Sequence, residues 1–389
     1  MTRISLSKLA LLFLSMLTIM AAAIIAPSIP TMADFFRQTP NVDLLSKLVV
    51  SLPTLFIAIS ATIVGRYIDR HGRLKLLYIG LVLYALSGIS GFYLNNIYYI
   101  LIGRALLGIA IGITMTITFT LIGDYFKGDD RKDFIGFQTA FVGFSGGVFL
   151  ILGGVLADIN WRLPFLIYLV ALVLIPLVLR SLNEPQASTP LNRNVTGESN
   201  LLIRIIFINA ILLMILFYIV PTQLPFLLYE IGIDESTLSG AALAINALGM
   251  VISSLLYARL KGRVHFPYIY TIAFLLLAMG YFLTGMTHSF FDIFIAMFIA
   301  GLGFGLLMAN TNLWIMELSP HELRGKNIGM LTTCLFLGQF LSPIIFEPLV
   351  IKYGVSFLFI FTAAFMVFIS VGFLTLGQSL IKMGTSAGS

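Results

Sequence analysis

Charged residues are rare in this chain, and two sets of them have the types and spacing to do chemistry. One set occupies a short stretch between two long apolar segments, Gly65-Arg66-Tyr67-Ile68-Asp69-Arg70-His71-Gly72-Arg73-Leu74-Lys75-Leu76-Leu77. The other is Arg104, which stands alone within an apolar run. A guanidinium inside a bilayer costs from about 2.5 to over 10 kcal/mol, so it is expected to face protein or water and to have a function. Fixed charges of these kinds can hold helices in a closed arrangement or bind an anionic solute.

Two pairs of opposite charge flank predicted loops further along the chain. Asp124 and Arg131 form the first pair, and Glu317 and Arg324 form the second. In each pair an acidic residue ends one predicted helix and a basic residue begins the next. Such charges either form latches between helix ends or remain ordinary solvated loop residues, and the sequence alone leaves both interpretations open.

The composition sets the class of protein that must position these charges. Of the 389 residues, 59% are hydrophobic and only 10% are Asp, Glu, Lys or Arg, against about 25% charged residues in soluble domains. The apolar runs are continuous and mostly exceed the roughly 20 residues that cross a bilayer as a helix, which excludes a transmembrane barrel. The sequence therefore predicts an all-α, multi-pass membrane protein, whose net charge of +6 is carried by loops and not by a nucleic-acid interface.

Twelve crossings are predicted, at residues 7–31, 44–66, 75–95, 97–122, 134–156, 162–181, 202–229, 236–259, 265–287, 289–316, 326–349 and 354–377. Residues 3–26 are similar to a secretory signal, but the apolar run continues to Pro30, which favours a retained first helix. With the N-terminus inside, inner segments hold 18 Lys and Arg residues, and outer segments hold only Arg37, Lys47, Arg162 and Lys352. The excess of inner Lys and Arg predicts that both termini are cytoplasmic.

The crossings divide into two related halves. Residues 182–200 form the longest polar stretch and are expected to be a cytoplasmic linker between bundles at residues 1–181 and 201–389. Asp124, Arg131 and Gly136 recur 193 residues later as acidic, basic and glycine residues, and Gly108 and Gly112 recur as Gly301 and Gly305. Pro27 and Pro30 have counterparts in Pro221 and Pro225. The fold is predicted to be two six-helix pseudo-symmetric bundles.

The motifs on these helices resemble one known family. The pattern Gly-x-x-x-Asp-Arg-x-Gly-Arg-x-x-Leu-Leu of residues 65–77 is similar to the loop between helices 2 and 3 of the major facilitator superfamily. Arg104 with Gly108 and Gly112 resembles the fourth-helix motif of the same family, and Gly153-Gly154 resembles part of the fifth-helix motif of its drug:proton antiporter branch. Two departures stand out: Leu107 replaces a frequent glutamine, and Phe149-Leu150 stands where exporters often have Gly-Pro.

The resemblance implies roles for particular residues. Gating is assigned to Gly65, Asp69, Arg70, Gly72, Arg73, Asp124, Arg131, Glu317 and Arg324. The alternative, an ordinary excess of positive charge on the inner side, would explain the arginines but not Gly65, Asp69 and Gly72. Arg104 is assigned to proton coupling or substrate binding, with a purely structural role as the alternative. Crossings 1, 4, 7 and 10 line the cavity in the family, with 2, 5, 8 and 11 at its sides. The polar residues expected there are Thr18, Thr114, Gln138, Tyr218, Gln223, Asn246, Asn310, Asn312, Trp314 and Gln339.

The predicted function is secondary active transport of a small organic solute by alternating access, as proton-coupled efflux of a drug or metabolite. The first helix lacks the acidic residue common in exporters of cations, so the solute is expected to be neutral or anionic, for example a carboxylate siderophore. Proton-coupled uptake of such an anion is the alternative. A receptor or enzyme is disfavoured, because no cluster of nucleophiles, metal ligands or paired acids is present. We therefore expect no cofactor or metal, and a monomer in a bacterial inner membrane that binds solute and protons.

Overall fold

The computed structural model describes residues 3–184, 201–287, 289–320 and 323–387. Within these ranges the chain is helical and contains no strand. The first half consists of α1 (Arg3–Ala23), α2 (Ile29–Phe35), α3 (Val42–His71), α4 (Arg73–Gly88), α5 (Ser90–Tyr93), α6 (Ile97–Tyr125), α7 (Gly128–Ile159) and α8 (Val170–Ser181). The second half consists of α9 (Leu201–Phe217), α10 (Ile219–Glu230), α11 (Ser236–Lys261), α12 (Phe266–Met286), α13 (Phe290–Leu318), α14 (Arg324–Tyr353) and α15 (Val355–Ala387).

Twelve helical stretches within the described ranges are long and apolar enough to cross a membrane. This number confirms the predicted fold class. Helices predominate because a backbone surrounded by lipid must satisfy its own hydrogen bonds. One predicted boundary is wrong: α3 continues to His71, so most of the charged stretch 65–77 is helical and the chain turns only at Gly72. Gly72 has φ +81° and ψ 154°, a conformation that residues other than glycine rarely adopt.

The first and seventh crossings are broken helices. The first consists of α1, a 3₁₀ turn at Ala26–Ser28 and α2, and the seventh consists of α9 and α10 on either side of Tyr218. Pro27 lies within the 3₁₀ turn, and Pro221 lies just after the break at Tyr218. Neither can donate a backbone hydrogen bond, so each removes a bond that would continue the helix. In the first break the Ile24 carbonyl packs directly on Gly153 of α7, where a methyl group would overlap it.

The chain divides into two compact units: residues 1–191 with 235–240, and residues 192–234 with 241–389. In the first unit α3 packs along α6, and α1 packs along α7. In the second unit α12 packs along α15 and α13, and α9 packs along α14. Residues 185–200 of the expected linker lie outside the described residues.

The internal repeat found in the sequence extends to helix packing. A methyl group on Gly108 would overlap the Pro53 carbonyl oxygen, and a methyl group on Gly301 would overlap the Asn246 carbonyl oxygen. Gly108 and Gly301 are 193 positions apart in the sequence, and so are Pro53 and Asn246. The same spacing relates a second contact, between Gly112 and Ser60 in one unit and between Gly305 and Ser253 in the other. The two units therefore repeat one close helix–helix crossing, in which glycine lets the two backbones approach.

Candidate functional site

Arg104 is fully buried within the first unit. Its Nη1 donates to the hydroxyl of Tyr168 at 2.9 Å, and its Nη2 donates to the Gly88 carbonyl at 3.2 Å. The guanidinium also lies 4.7 Å from the centre of the Phe165 ring and 4.8 Å from that of Tyr168. The Arg104 Nε has no hydrogen-bond partner, and the guanidinium forms no ion pair with any residue that the structure describes. All described partners of the Arg104 guanidinium are therefore neutral groups, and none of them is an anion.

The short 3₁₀ segment Leu163–Leu169 brings the two aromatic rings to Arg104. Tyr168 and Phe165 both face the region of α4 and α5, where glycine leaves room for them. A side chain at Gly88 would overlap Tyr168, and one at Gly91 would overlap Phe165. The Tyr168 hydroxyl donates in turn to the Ala21 carbonyl at 2.6 Å. Arg104, Tyr168 and Ala21 therefore form a continuous chain of hydrogen bonds that ends at the break in the first crossing.

A network of charges surrounds the turn at Gly72. The Arg73 guanidinium forms an ion pair with Asp124 at the end of α6. Glu184 accepts from the backbone N–H groups of Arg73 at 2.6 Å and Leu74 at 2.9 Å, so it caps the first turn of α4. A negative side chain at this end is also favoured by the helix dipole. The turn predicted to be important is thus tied to α6 and to the first residues after α8.

Asp124 and Arg131, the acidic and basic residues that flank the first loop, form no ion pair with each other among the described contacts. Arg131 instead donates through Nε to the Phe126 carbonyl at 2.9 Å and through Nη2 to the Gly123 carbonyl. These carbonyls belong to the last turn of α6 and the residue after it, so Arg131 caps that helix while Asp124 binds Arg73. The side chains of residues 65–71, including those of Asp69 and Arg70, lie outside the described part of the chain.

The corresponding loop of the second unit is organised differently. Glu317 is exposed, and among the described contacts no ion pair joins it to Arg324. Glu317 lines a surface depression together with Lys261 and His265. The loop is held instead by Asn327, whose amide donates to the Ser319 hydroxyl at 2.9 Å. The sequence repeat of acidic and basic residues is therefore not matched by a repeat of contacts.

The predicted polar residues of the first unit serve mainly its own helices. Thr114 is buried and donates to the Ala110 carbonyl one turn earlier at 3.0 Å. Gln138 donates to the Ser15 hydroxyl at 2.6 Å and thereby joins α7 to α1. Thr18 is partly exposed. The structure does not bring these three residues into hydrogen-bond contact with one another.

In the second unit Asn310 is the most connected of the predicted residues. It accepts from the Tyr257 hydroxyl and donates to the Phe266 carbonyl, both at 3.0 Å. Trp314, one turn further along α13, is buried and stacks on the Phe266 ring at 5.3 Å between ring centres. The structure thus brings Asn310 and Trp314 together at Phe266.

The other predicted residues of this unit are more dispersed. Asn246 donates to the Met297 carbonyl at 3.0 Å, and Gln339 lies 3.7 Å from the Met214 sulfur. Asn312 is exposed and donates to its own helix, while Tyr218 is buried at the break between α9 and α10.

Gln223 in α10 differs from every other predicted residue. It is only 1% exposed, yet neither its amide nitrogen nor its amide oxygen has a hydrogen-bond partner. A buried polar group left unsatisfied costs about 1–3 kcal/mol. A buried polar side chain without a protein partner needs an explanation, and binding of a water molecule or of a ligand is one.

Two buried charges correct the sequence-based interpretation. Lys47, counted there among the Lys and Arg residues of the outer segments, is 1% exposed within α3. Glu347 lies near the outer end of the predicted crossing 326–349, a position that favours a solvated residue or a proton carrier. In the structure it is 3% exposed within α14, between Pro343 and Pro348. Lys47 does lie inside the predicted crossing 44–66, and this position in the sequence could have indicated its burial. Arg104 is therefore one of several buried ionisable residues.

Two units that repeat one helix crossing, each with a broken first helix, are typical of secondary transporters. The family model described as Major Facilitator Superfamily matches residues 11–343 and 206–387. The chain belongs to this family, as its motifs predicted. It is accordingly a multi-pass membrane transporter.

The relatives include several efflux proteins. The chain is 26% identical over 324 residues to a bacillibactin exporter of Bacillus subtilis, an alignment that covers 78% of this chain and 80% of that protein. It is 32% identical over 162 residues to the multidrug transporter protein MdtP of B. subtilis, covering 40% of this chain and 30% of MdtP. It is 24% identical over 200 residues to the quinolone resistance protein NorB of Staphylococcus aureus, covering 50% of this chain and 43% of NorB.

Solved structures share the fold. A bacterial homologue of the human lysosomal transporter Spinster superposes with a TM-score of 0.74 at 16% identity, over 99% of this chain and 98% of that chain. The xylose transporter XylE of E. coli in an inward-open conformation also gives 0.74, at 15% identity, over 94% of this chain and 95% of XylE. Identities this low concern the architecture alone.

Proposed function

We propose that this chain is a proton-coupled exporter of a small organic molecule that is neutral or anionic. The observation that carries this proposal is Arg104, a fully buried guanidinium whose described partners are all neutral. A buried cation that lacks an anionic partner favours an anionic ligand. Carboxylates match the planar donor geometry of arginine especially well.

The balance of buried charge supports the same choice of solute. Among the described residues the buried Lys, Arg, Asp and Glu side chains are Lys47, Arg73, Arg104 and Glu347, which are three cationic residues and one acidic residue. Asp124 is paired with Arg73 and offsets that charge. A protein interior with this balance disfavours an organic cation and favours a neutral or negatively charged solute.

Export is the direction that the named relatives support, since a bacillibactin exporter aligns over most of this chain. In the proposed cycle Arg104 binds the solute or responds to the proton, and Gln223 supplies amide hydrogen bonds to the solute. The charged residues around Gly72, together with Asp69 and Arg70, stabilise one conformation of the cycle. Both termini are proposed to lie in the cytoplasm of a bacterial cell, and the transporter is proposed to act as a monomer.

The solute class can be tested by counterflow in proteoliposomes. Vesicles are loaded with an unlabelled compound, and entry of the labelled compound is followed for bacillibactin, a citrate-based siderophore and ethidium. We expect exchange of a siderophore and little exchange of ethidium, with protein-free vesicles as the control. Rapid exchange of ethidium without exchange of either siderophore would contradict the charge argument.

A further inference from the structure

The break in the first crossing leaves a backbone acceptor that a side chain must satisfy. At the end of α1, Ile24 donates to the Met20 carbonyl and Ile25 donates to the Ala22 carbonyl. The Ala21 carbonyl is thereby skipped by the helical pattern. The Tyr168 hydroxyl donates to it at 2.6 Å, and both residues are buried. This bond stabilises the broken geometry, because a buried carbonyl without a partner is costly.

The second unit contains part of the same arrangement. In the first unit the Tyr84 hydroxyl donates to the Leu17 carbonyl at 2.7 Å, a few residues before the break. In the second unit the Tyr281 hydroxyl donates to the Leu216 carbonyl, also at 2.7 Å and just before the break at Tyr218. A tyrosine that holds the broken helix is therefore common to both units.

The link to a charge is present in one unit only. The residue 193 positions after Arg104 is Met297, in the register that relates the two units. The aromatic ring that packs on Tyr281 belongs to Phe359, at 5.2 Å between centres, where Tyr168 packs on Tyr84 at 5.7 Å. Phe359 has no hydroxyl and Met297 has no charge. Both units hold their broken helix with a tyrosine hydrogen bond. The hydrogen bonds that link Arg104, Tyr168 and Ala21 are an addition found in the first unit.

We propose that Tyr168 is the positioning residue through which Arg104 controls the break in the first crossing. The hydroxyl has one proton, which it donates to Ala21, and it accepts from Arg104. Acceptance from a cation strengthens its own donation, because linked hydrogen bonds polarise one another. An anion that draws the guanidinium away weakens the bond to Ala21 and loosens the break. The inference rests on the proposed role of Arg104 in binding or coupling.

The proposal is tested first without any solute, by hydrogen–deuterium exchange of peptides covering residues 15–30. Tyr168→Phe is expected to speed exchange at the break by about tenfold in wild-type protein, but to add little in an Arg104→Gln background. Tyr84→Phe is the matched control, because it removes a hydroxyl bonded to the same helix. Its effect is expected to be equal in both backgrounds.

A second measurement is the pH profile of bacillibactin uptake into proteoliposomes. Tyr168→Phe should shift this profile, while Tyr281→Phe should leave it in place. Two results would overturn the proposal. One is an unchanged rate of hydrogen exchange at residues 15–30 in Tyr168→Phe. The other is a rise in that rate that is as large in the Arg104→Gln background as in the wild-type background. If wild-type protein moves none of the solutes tested, the proposed function fails, whereas the exchange measurements still decide the role of Tyr168.

Discussion

Arg104 is the residue on which the account of function depends most. Arg104→Gln removes a costly buried charge, so the global free energy of unfolding should change little even though the break in the first crossing loosens locally. Transport driven by a pH gradient should fall at least about tenfold, because a charge-assisted contact contributes about 1.5–3 kcal/mol. Thermal unfolding in detergent and gradient-driven uptake measure the two effects. A large loss of stability with normal uptake by the remaining folded protein would indicate a structural role.

Gln223 gives a second test at the level of one residue. Gln223→Leu removes two unsatisfied buried polar atoms, so we expect stability to rise by about 1–3 kcal/mol while solute affinity falls. Gln138→Leu is the matched control, because the Gln138 amide is satisfied by Ser15 and its loss should destabilise the first unit. The pair is compared by thermal unfolding and by counterflow. A destabilised Gln223→Leu with unaltered affinity would show that Gln223 only packs.

At this scale the sequence identifies isolated charges better than their partners. Arg104 could be predicted as special, because a single arginine in an apolar run is unusual. Tyr168 could not, because aromatic residues are common in membrane helices and its partners include a backbone carbonyl. The burial of Glu347 was also missed, since nearness to a predicted helix end does not determine which face of the helix is covered.

At the scale of elements, the repeated contact between glycine and a neighbouring helix can be tested in both units. Gly108→Ala and Gly301→Ala should each destabilise the protein, by about 1–3 kcal/mol, because the added methyl group would overlap a carbonyl oxygen. Gly136→Ala is the control, since nothing lies within 4 Å of a methyl group there. It should be neutral or stabilising, as alanine favours helix. Equal stability of all three variants would contradict the close helix crossing.

Helices and their number follow from sequence more readily than helix ends. The apolar runs predicted all twelve crossings because lipid requires about 20 apolar residues. The charged stretch 65–77 was predicted as a loop, yet α3 remains helical to His71, since charge alone does not end a helix that emerges into water. The prolines were used only to align the two halves, and the side chain that satisfies the freed carbonyl at the first break depends on tertiary contacts.

At the scale of the whole molecule, the excess of Lys and Arg in alternate loops predicts the orientation. A green fluorescent protein fused after residue 389 should fluoresce in a bacterial host, because that reporter folds in the cytoplasm. Alkaline phosphatase inserted after Asn95 or Asn160 should be active, because those loops are expected outside. An active phosphatase fusion at residue 389 would reverse the orientation.

We propose that this transporter exchanges an organic solute for protons. The most direct measurement is uptake of bacillibactin, or of the siderophore exchanged best in counterflow, into proteoliposomes with an imposed pH difference. An acidic interior should drive uptake whatever the orientation of the protein. A protonophore should abolish this uptake, and Arg104→Gln should reduce it at least about tenfold. Uptake driven by an acidic exterior would mean symport, and uptake indifferent to either gradient would mean no proton coupling; either result would contradict the account.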